Sequence, residues 1–326
     1  MEIVLAGDIG GTNARFVLFR DGQYDESSLQ KLPVDSHPDL ADTIQQYLHG
    51  REPVSKIALS VASTAEYTDA MELTNANISL TVSDLVARFS LTQARVVNDF
   101  TAAALGVVKL PKQHLRVLHT GTEDLAGSKA VIGAGTGLGV SGLVQAGTHW
   151  IPLQGQGGHV TMVAQTEREL AIRKVMAERF GHVSGERYLS GPGTVSVYQA
   201  ICKLDGVTAK FSDAQDISNS AVNGSCEVCF EAMQLFCKYL GIVTGDLAVT
   251  LGSTGGIYLA GGIAPSLGEY FTDSDFLYWL HDKGRFSDFV KDMPVWLVTG
   301  GEPALFGAYQ SLNTHYNNYG YTAYAC

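Results

Sequence analysis

Clusters of positive charge are missing from this chain. Its 326 residues carry 22 Lys and Arg against 33 Asp and Glu, a formal net charge of −11, and no run of about five or six basic residues occurs. Nucleic acid and anionic membrane surfaces are therefore excluded as partners on electrostatic grounds, and a small-molecule partner is expected. Long apolar runs are missing too. The tract from Ala130 to Thr166 contains no Lys, Arg, Asp or Glu, but glycines, Thr, Gln and His interrupt it well short of the roughly 18 apolar residues that mark a membrane helix. No basic segment precedes the short apolar run in MEIVLAGD, so a signal peptide is not expected and the mature chain is expected to begin at Met1. Cysteine is scarce and odd in number: the five are Cys202, Cys226, Cys229, Cys237 and Cys326. That count points to a reducing cytoplasm, not a disulfide framework. The pair in CEVC raises the question of zinc. Cys226, Cys229 and Cys237 nevertheless fall near one face of the helix implied by FEAMQLFCKYLGIV, and a packed thiol face is the expectation.

With 45% hydrophobic and 17% charged residues, the chain is long enough for two domains or one large split one. IVLAGDI and ARFVLFR flank a glycine turn and read as a β-hairpin. A helix near Leu40 to Leu48, the strand KIALSVA, a helix near Leu80 to Phe89, the strand RVVND and the helix FTAAALGVV complete an α/β unit with a mixed sheet. A second set starts near Lys129 with KAVIGAG and GVSGLVQAG, again a glycine-turned hairpin, followed by THWIPL. The middle, from Glu167 to Leu251, reads as mainly helical; the strands GGIYLAGGI and MPVWLVT and the helix PALFGAYQSL close the pattern. Two such hairpins about 120 residues apart indicate a duplicated α/β fold, with no short-period repeat. The tyrosine-rich end HYNNYGYTAYAC shows no period and is expected to be loosely attached.

The segment DIGGTNAR, Asp8 to Arg15, puts a carboxylate at a strand end and two glycines in the turn after it. Glycine lets backbone amides approach a phosphate closely, and a strand-end carboxylate can hold Mg²⁺ through water. Alone, it reads equally well as an ordinary hairpin. GAGTGLG, Gly133 to Gly139, has the same character. Read from Gly133, it misses the dinucleotide fingerprint because the last glycine falls on Leu138, and it lacks the P-loop lysine. Gly261 and Gly262 in LAGGIAP again end a strand.

Together these turns resemble the actin, hexokinase and sugar-kinase superfamily and, more narrowly, the bacterial glucokinase family. The carrying motifs are GDIGGTNAR, VVNDFTAAA, GAGTGLG, QGGHV, GHVSGERYLSGPG, LAGGIAP and DKGRF, spread from residue 7 to residue 286 in the family's order. The resemblance implies an α/β fold of the duplicated actin-like ATPase (ribonuclease H-like) type. Two domains would flank a cleft: a small one of residues 1–108 plus about 300–314, a large one of 109–299, and a tail of 315–326. It also implies an ATP-dependent hexose kinase using Mg²⁺, hinged closure on the sugar to exclude water, a cytoplasmic location and a homodimer.

Phosphorylating a sugar hydroxyl requires a carboxylate within hydrogen-bond reach to take its proton. Asp99, ending RVVND, is the candidate; its bland reading is a helix N-cap. By resemblance, Asn98, Gln156, His159 and Glu186 bind sugar together with Asp99. Gly10, Gly11, Thr12 and Asn13 cradle ATP phosphates with Gly135, Thr136 and Gly137. Asp8 holds Mg²⁺ through water, and Gly261 and Gly262 lie against adenosine. Arg15 stays outside this set as a structural ion-pair partner. The stretch LQGQGGHV becomes the floor of the sugar site, expected to be buried.

Two departures from the family stand out. The family's sugar loop reads P-G-E-G-G-H, whereas here Gln156 replaces the glutamate; an amide donates as well as accepts. Thr74-Asn75 also lacks the tryptophan that follows in the family. Both leave open a different or modified hexose, beside glucose phosphorylated at O6. A sugar-responsive regulator with little turnover and a self-assembling actin-like ATPase are the other readings; an intact Asp8 and Asp99 count against the first, His159 and Glu186 against the second.

Overall fold

A computed structural model describes residues 1–34, 37, 39–62, 68–72, 79–313 and 320–325; Thr74 and Asn75 lie outside them. The chain forms two compact units. The first comprises Met1–Pro111, Gln145–Gln154 and Gly300–Cys326, and the second Lys112–Val144 and Gly155–Thr299.

The first unit opens with β1 (Ile3–Ile9), β2 (Asn13–Arg20) and β3 (Gln23–Pro33). Then come α1 (Leu40–Leu48), β4 (Lys56–Val61), a small ribbon of β5 (Ala70–Glu72) and β6 (Ser79–Thr81), α2 (Val82–Phe89), β7 (Gln93–Asn98) and α3 (Asp99–Val107). Alternation fixes the faces. Ile3, Leu5, Phe16 and Leu18 enter one core with α1 and α2 residues, while Val4, Ala6, Val17 and Phe19 enter another on the opposite face. A sheet covered on both faces calls for near-continuous apolar strands, and β1 and β4 have them.

The second unit contains β8 (Leu115–His119), β9 (Lys129–Ala134) and most of β10 (Leu138–Ala146); β11 (His149–Leu153) follows in the Gln145–Gln154 segment of the first unit. Four longer helices follow: α4 (Glu167–Phe180), α5 (Gly191–Asp205), α6 (Ala214–Val222) and α7 (Glu227–Leu251). After β12 (Ile257–Ala260) come α8 (Ile263–Ser266), α9 (Glu269–Thr272), α10 (Phe276–His281), α11 (Ser287–Lys291) and β13 (Val295–Val298). The α4 start is a capping box between Thr166 and Glu169. Cys226 is the N-cap of α7, Cys229 and Cys237 are buried in its core, and among the described residues no group of three His, Cys, Asp or Glu is placed to hold a metal. No described helix is long and apolar enough to cross a membrane.

The chain closes with α12 (Pro303–Ser311) and β14 (Gly320–Tyr324). The expectation of a loose tail fails here: β14 pairs antiparallel with β7, from Gly320 against Val97 to Tyr324 against Gln93. The tyrosines and threonine that showed no period are good strand formers, and Arg95 of β7 donates to Thr322 Oγ1 at 2.7 Å. The first sheet runs β14-β7-β4-β1-β2-β3 and the second β11-β10-β9-β12-β13-β8. In each, an antiparallel hairpin (β1-β2, β9-β10) adjoins two parallel strands (β4 and β7, β12 and β13) and an antiparallel edge (β14, β8). This matched order is the duplication expected from the paired glycine turns.

In the first unit α12 packs along α3 with backbone against backbone. A Cβ on Gly307 would overlap the Ala102 carbonyl, and one on Gly106 the Pro303 carbonyl. Gly307→Ala must separate the helices, and overpacking of this kind costs roughly 1–3 kcal/mol. A lower Tm is expected; an unchanged one contradicts the packing.

Candidate active site

In the first unit the site begins where buried strands run out. Asp8 ends the apolar part of β1 and lies in register with Ser60 of β4. The Ser60 hydroxyl, fully buried, donates to Asp8 Oδ1 at 2.9 Å, and Arg15 donates to Asp8 Oδ2 at 3.3 Å. Burial pushes the Asp8 carboxyl above its usual range, and the bonds from Ser60 and Arg15 oppose this. The turn beyond is closed by Gly10 N–H to the Asn13 carbonyl at 3.0 Å, and Gly10, Gly11 and Thr12 are exposed.

Asp99 sits at the end of β7, on the first turn of α3. The cap itself is Asn98, which corrects the N-cap reading of Asp99: Asn98 Oδ1 accepts from the Phe100 and Thr101 N–H groups, each at 3.0 Å. Asn98 Nδ2 donates to Asp99 Oδ1 at 2.9 Å, and Phe100 N–H donates to the same oxygen at 2.7 Å. Burial pushes the Asp99 carboxyl up, the Phe100 amide pulls it down, and the negative Asp8 adds to the rise. Arg15 does pair structurally, but with two carboxylates: Asp8 and, 3.7 Å from its Nε, Glu302 at the start of α12.

In the second unit three glycine-bearing segments meet through their backbones. Gly135 N–H donates to the Gly137 carbonyl at 2.9 Å and makes the tight turn between β9 and β10, with Thr136 exposed at its tip. Gly191 N–H donates to the Gly135 carbonyl at 2.8 Å, so the start of α5 is pinned to that turn. Gly157 and Gly158 press against β10, where a Cβ on either would collide with Val140 or the Leu138 carbonyl. Glu186 Oε2 accepts from Leu138 N–H at 3.0 Å, and Gly185 N–H donates to the Val160 carbonyl at 2.9 Å. Gln156, His159 and Glu186 therefore share one rigid backbone cluster with the Gly135–Gly137 turn. The LQGQGGHV loop is not buried, however: Leu153 to Gln156, His159 and Val160 are exposed, Gly157 is half-buried and only Gly158 is buried. Burial explains the lack of charge from Ala130 to Ala134 in β9, not in this loop, whose polar groups are mostly exposed.

Gly261, at φ +82, turns the chain after β12 against Ala134 of β9, where a side chain would strike backbone. Gly262 then begins α8, and beyond it lies a cavity of about 470 Å³ lined by the polar Gln215, Ser218, Asn219, Asn223 and Ser266 and the apolar Val222 and Leu267.

Ser60, Glu302 and this cavity escaped the sequence reading. A hydroxyl inside the apolar run KIALSV was the only local sign of Ser60; the others come from contacts far apart in sequence. A second register, GLGVSG from Gly137 to Gly142, does match the dinucleotide spacing, but it lies in β10, antiparallel to β9, with no helix after the glycines.

A family model described as Glucokinase matches residues 5–315. The chain belongs to the glucokinase family. The glucokinase of Aromatoleum aromaticum is 42% identical over 312 residues, 95% of this chain and 94% of that protein. That of Hahella chejuensis is 37% identical and covers 95% and 97% respectively. Among solved structures, a glucokinase from an Antarctic psychrotroph is similar with a TM-score of 0.84 at 33% identity, covering 96% of this chain and 99% of that one. Like the rest of the glucokinase family, this chain is a two-unit α/β enzyme that transfers phosphate from ATP to a sugar.

The raised Asp99 carboxyl carries a stability consequence. An acid whose folded value lies above its unfolded one contributes stability that is full below about pH 4 and lost as pH rises through the folded value. Asp99→Asn is expected to raise Tm at pH 7 and to lose that advantage near pH 3. Carboxyl NMR should place the Asp99 midpoint above the ordinary aspartate value and lower in Asp8→Asn; an ordinary midpoint in the native chain contradicts the electrostatics.

Proposed function

We propose that this chain transfers the γ-phosphoryl group of ATP to the 6-hydroxyl of glucose, with Asp99 as general base. The observation that carries this reading is the Asp99 carboxylate. Both of its hydrogen bonds among the described residues fall on Oδ1, which leaves Oδ2 to take the hydroxyl proton. Burial raises its proton affinity, as a general base requires.

Phosphoryl transfer asks little else than positioning and charge neutralisation. The exposed Gly10–Asn13 and Gly135–Gly137 turns supply backbone amides to the ATP phosphates, and Gly261 and Gly262 lie against adenosine. The cavity beyond α8, lined by amides and hydroxyls with Val222 and Leu267, has the size for the base. Asp8 suits Mg²⁺: a single carboxylate, steadied by Ser60, with no competing three-ligand cluster among the described residues, fits an ion that keeps most of its waters and takes phosphate oxygens. When bound, that ion neutralises phosphate charge; the protein's part is to hold Asp8 for it.

Asn98 caps α3 and stands beside Asp99, in place to contact a sugar hydroxyl. Gln156, His159 and Glu186 form the remaining sugar contacts, and Glu186 ties the sugar to the phosphate turn through Leu138. Glucose is the reading favoured by the names of the relatives, and both intact aspartates favour turnover over a regulatory role. Free Cys202, Cys226, Cys229 and Cys237 fit a cytoplasmic enzyme.

Steady-state kinetics with glucose and ATP test the assignment. Asp99→Asn should lower kcat by about 10²–10⁴-fold with the glucose KM changed far less; a variant retaining wild-type kcat would remove Asp99 from the chemistry. Gln156→Glu restores an acceptor for two hydroxyl donors and should lower the glucose KM about tenfold; an unchanged KM places Gln156 off the sugar.

A further inference from the structure

Glu302 is the one carboxylate of the first-unit site to which the reading above gives no task. It stands at the N-cap position of α12, yet its side chain makes no capping bond there. Instead Glu302 Oε1 lies 3.7 Å from Arg15 Nε, while Arg15 Nη1 holds Asp8 Oδ2 at 3.3 Å. One guanidinium thus serves two acids. A third, Asp99, is close enough for Asp8 to act on its proton affinity, and Asp8 acts likewise on Glu302.

With all three acids ionised and one arginine, this corner carries two uncompensated negative charges. It is also the corner that receives nucleotide phosphates. A metal-free nucleotide brings its full negative charge to these acids, whereas the Mg²⁺ complex brings two charges fewer and a cation that the acids attract. Glu302 adds to the repulsion of the bare form and also engages Arg15, the one cation paired with these acids among the described residues. We infer that Glu302 is a specificity-determining residue for the form of the nucleotide: it makes the site reject metal-free nucleotide in favour of the Mg²⁺ complex.

Its location is not incidental. Glu302 immediately precedes Pro303, whose carbonyl packs on Gly106 of α3, so the helix contact that carries Asp99 also carries Glu302. The side chain is partly exposed, at 29%, as is Arg15, at 44%. Its effect is therefore screened, and a moderate change is expected.

The inference rests on the assignment of Asp8 and the Gly10–Asn13 turn to phosphate and metal. Calorimetric binding of ADP to the intact chain, once with excess Mg²⁺ and once with EDTA, separates the two. In Glu302→Gln the affinity for metal-free ADP should rise about three- to tenfold relative to that for Mg·ADP, the range for one partly screened charge, and in Glu302→Asp the wild-type ratio should return in part. A structural role alone would weaken both affinities alike; an unmoved ratio in Glu302→Gln overturns the inference. Asp8→Asn is the control on the underlying assignment. It should weaken Mg·ADP more than metal-free ADP, and if it leaves Mg·ADP binding at the wild-type level, the metal assignment fails and the inference falls with it.

Discussion

The contact on which the catalytic half of the first unit depends is made by backbone alone. Gly106 and Gly307 let α3 and α12 touch without side chains between them. That touch sets where α3 begins relative to the strand ends, and so where Asp99 stands beside Asp8; it sets the start of α12 too, and with it Glu302 and the bridging Arg15. Three acids and one base are thereby gathered from positions 8, 15, 99 and 302. Raised proton affinity follows from placing carboxylates at the ends of buried strands, and a charge deficit of this kind is what an incoming cation-bound phosphate relieves.

The second unit solves a different problem by the same means. Under the proposed assignment, the Gln156–His159 loop and the Gly135–Gly137 turn have to stay in fixed register during transfer, since small misplacement at a reacting centre is costly in rate. Here the Gly135–Gly137 turn, the Gly157–His159 turn and the Gly185–Gly191 segment are joined by main-chain hydrogen bonds and by the Glu186 bond to Leu138. Side-chain rotamers play little part. What the loop exposes, an amide and an imidazole, can hydrogen-bond hydroxyl groups.

Much of this was legible in the sequence because its signals are local. The two hairpins, the helices and the duplication follow from alternation and glycine turns, and Asp8 and Asp99 declare themselves as acids closing apolar strands. Other features depend on residues distant in the chain. Nothing around Pro303 announces that Glu302 faces Arg15, and the capping duty of Asn98 emerges only when β7 and α3 meet at a sharp corner. The tail misled because a single edge strand of five residues shows too short an alternation; its partner, β7, supplies the order that its own pattern does not. The uncharged loop at Gln156 misled for a related reason: lack of charge implies burial only where the residues are apolar, and this loop is polar and mostly exposed.

The central claim is that one defined phosphoryl transfer takes place, onto the primary hydroxyl that Asp99 deprotonates. Phosphorus NMR of the products formed by the native chain from glucose, ATP and Mg²⁺ tests it most directly. Stoichiometric ADP and glucose 6-phosphate are the predicted products, with no reaction of 6-deoxyglucose. Phosphate appearing on another hydroxyl, or release of inorganic phosphate at the same rate with and without sugar, would contradict the account.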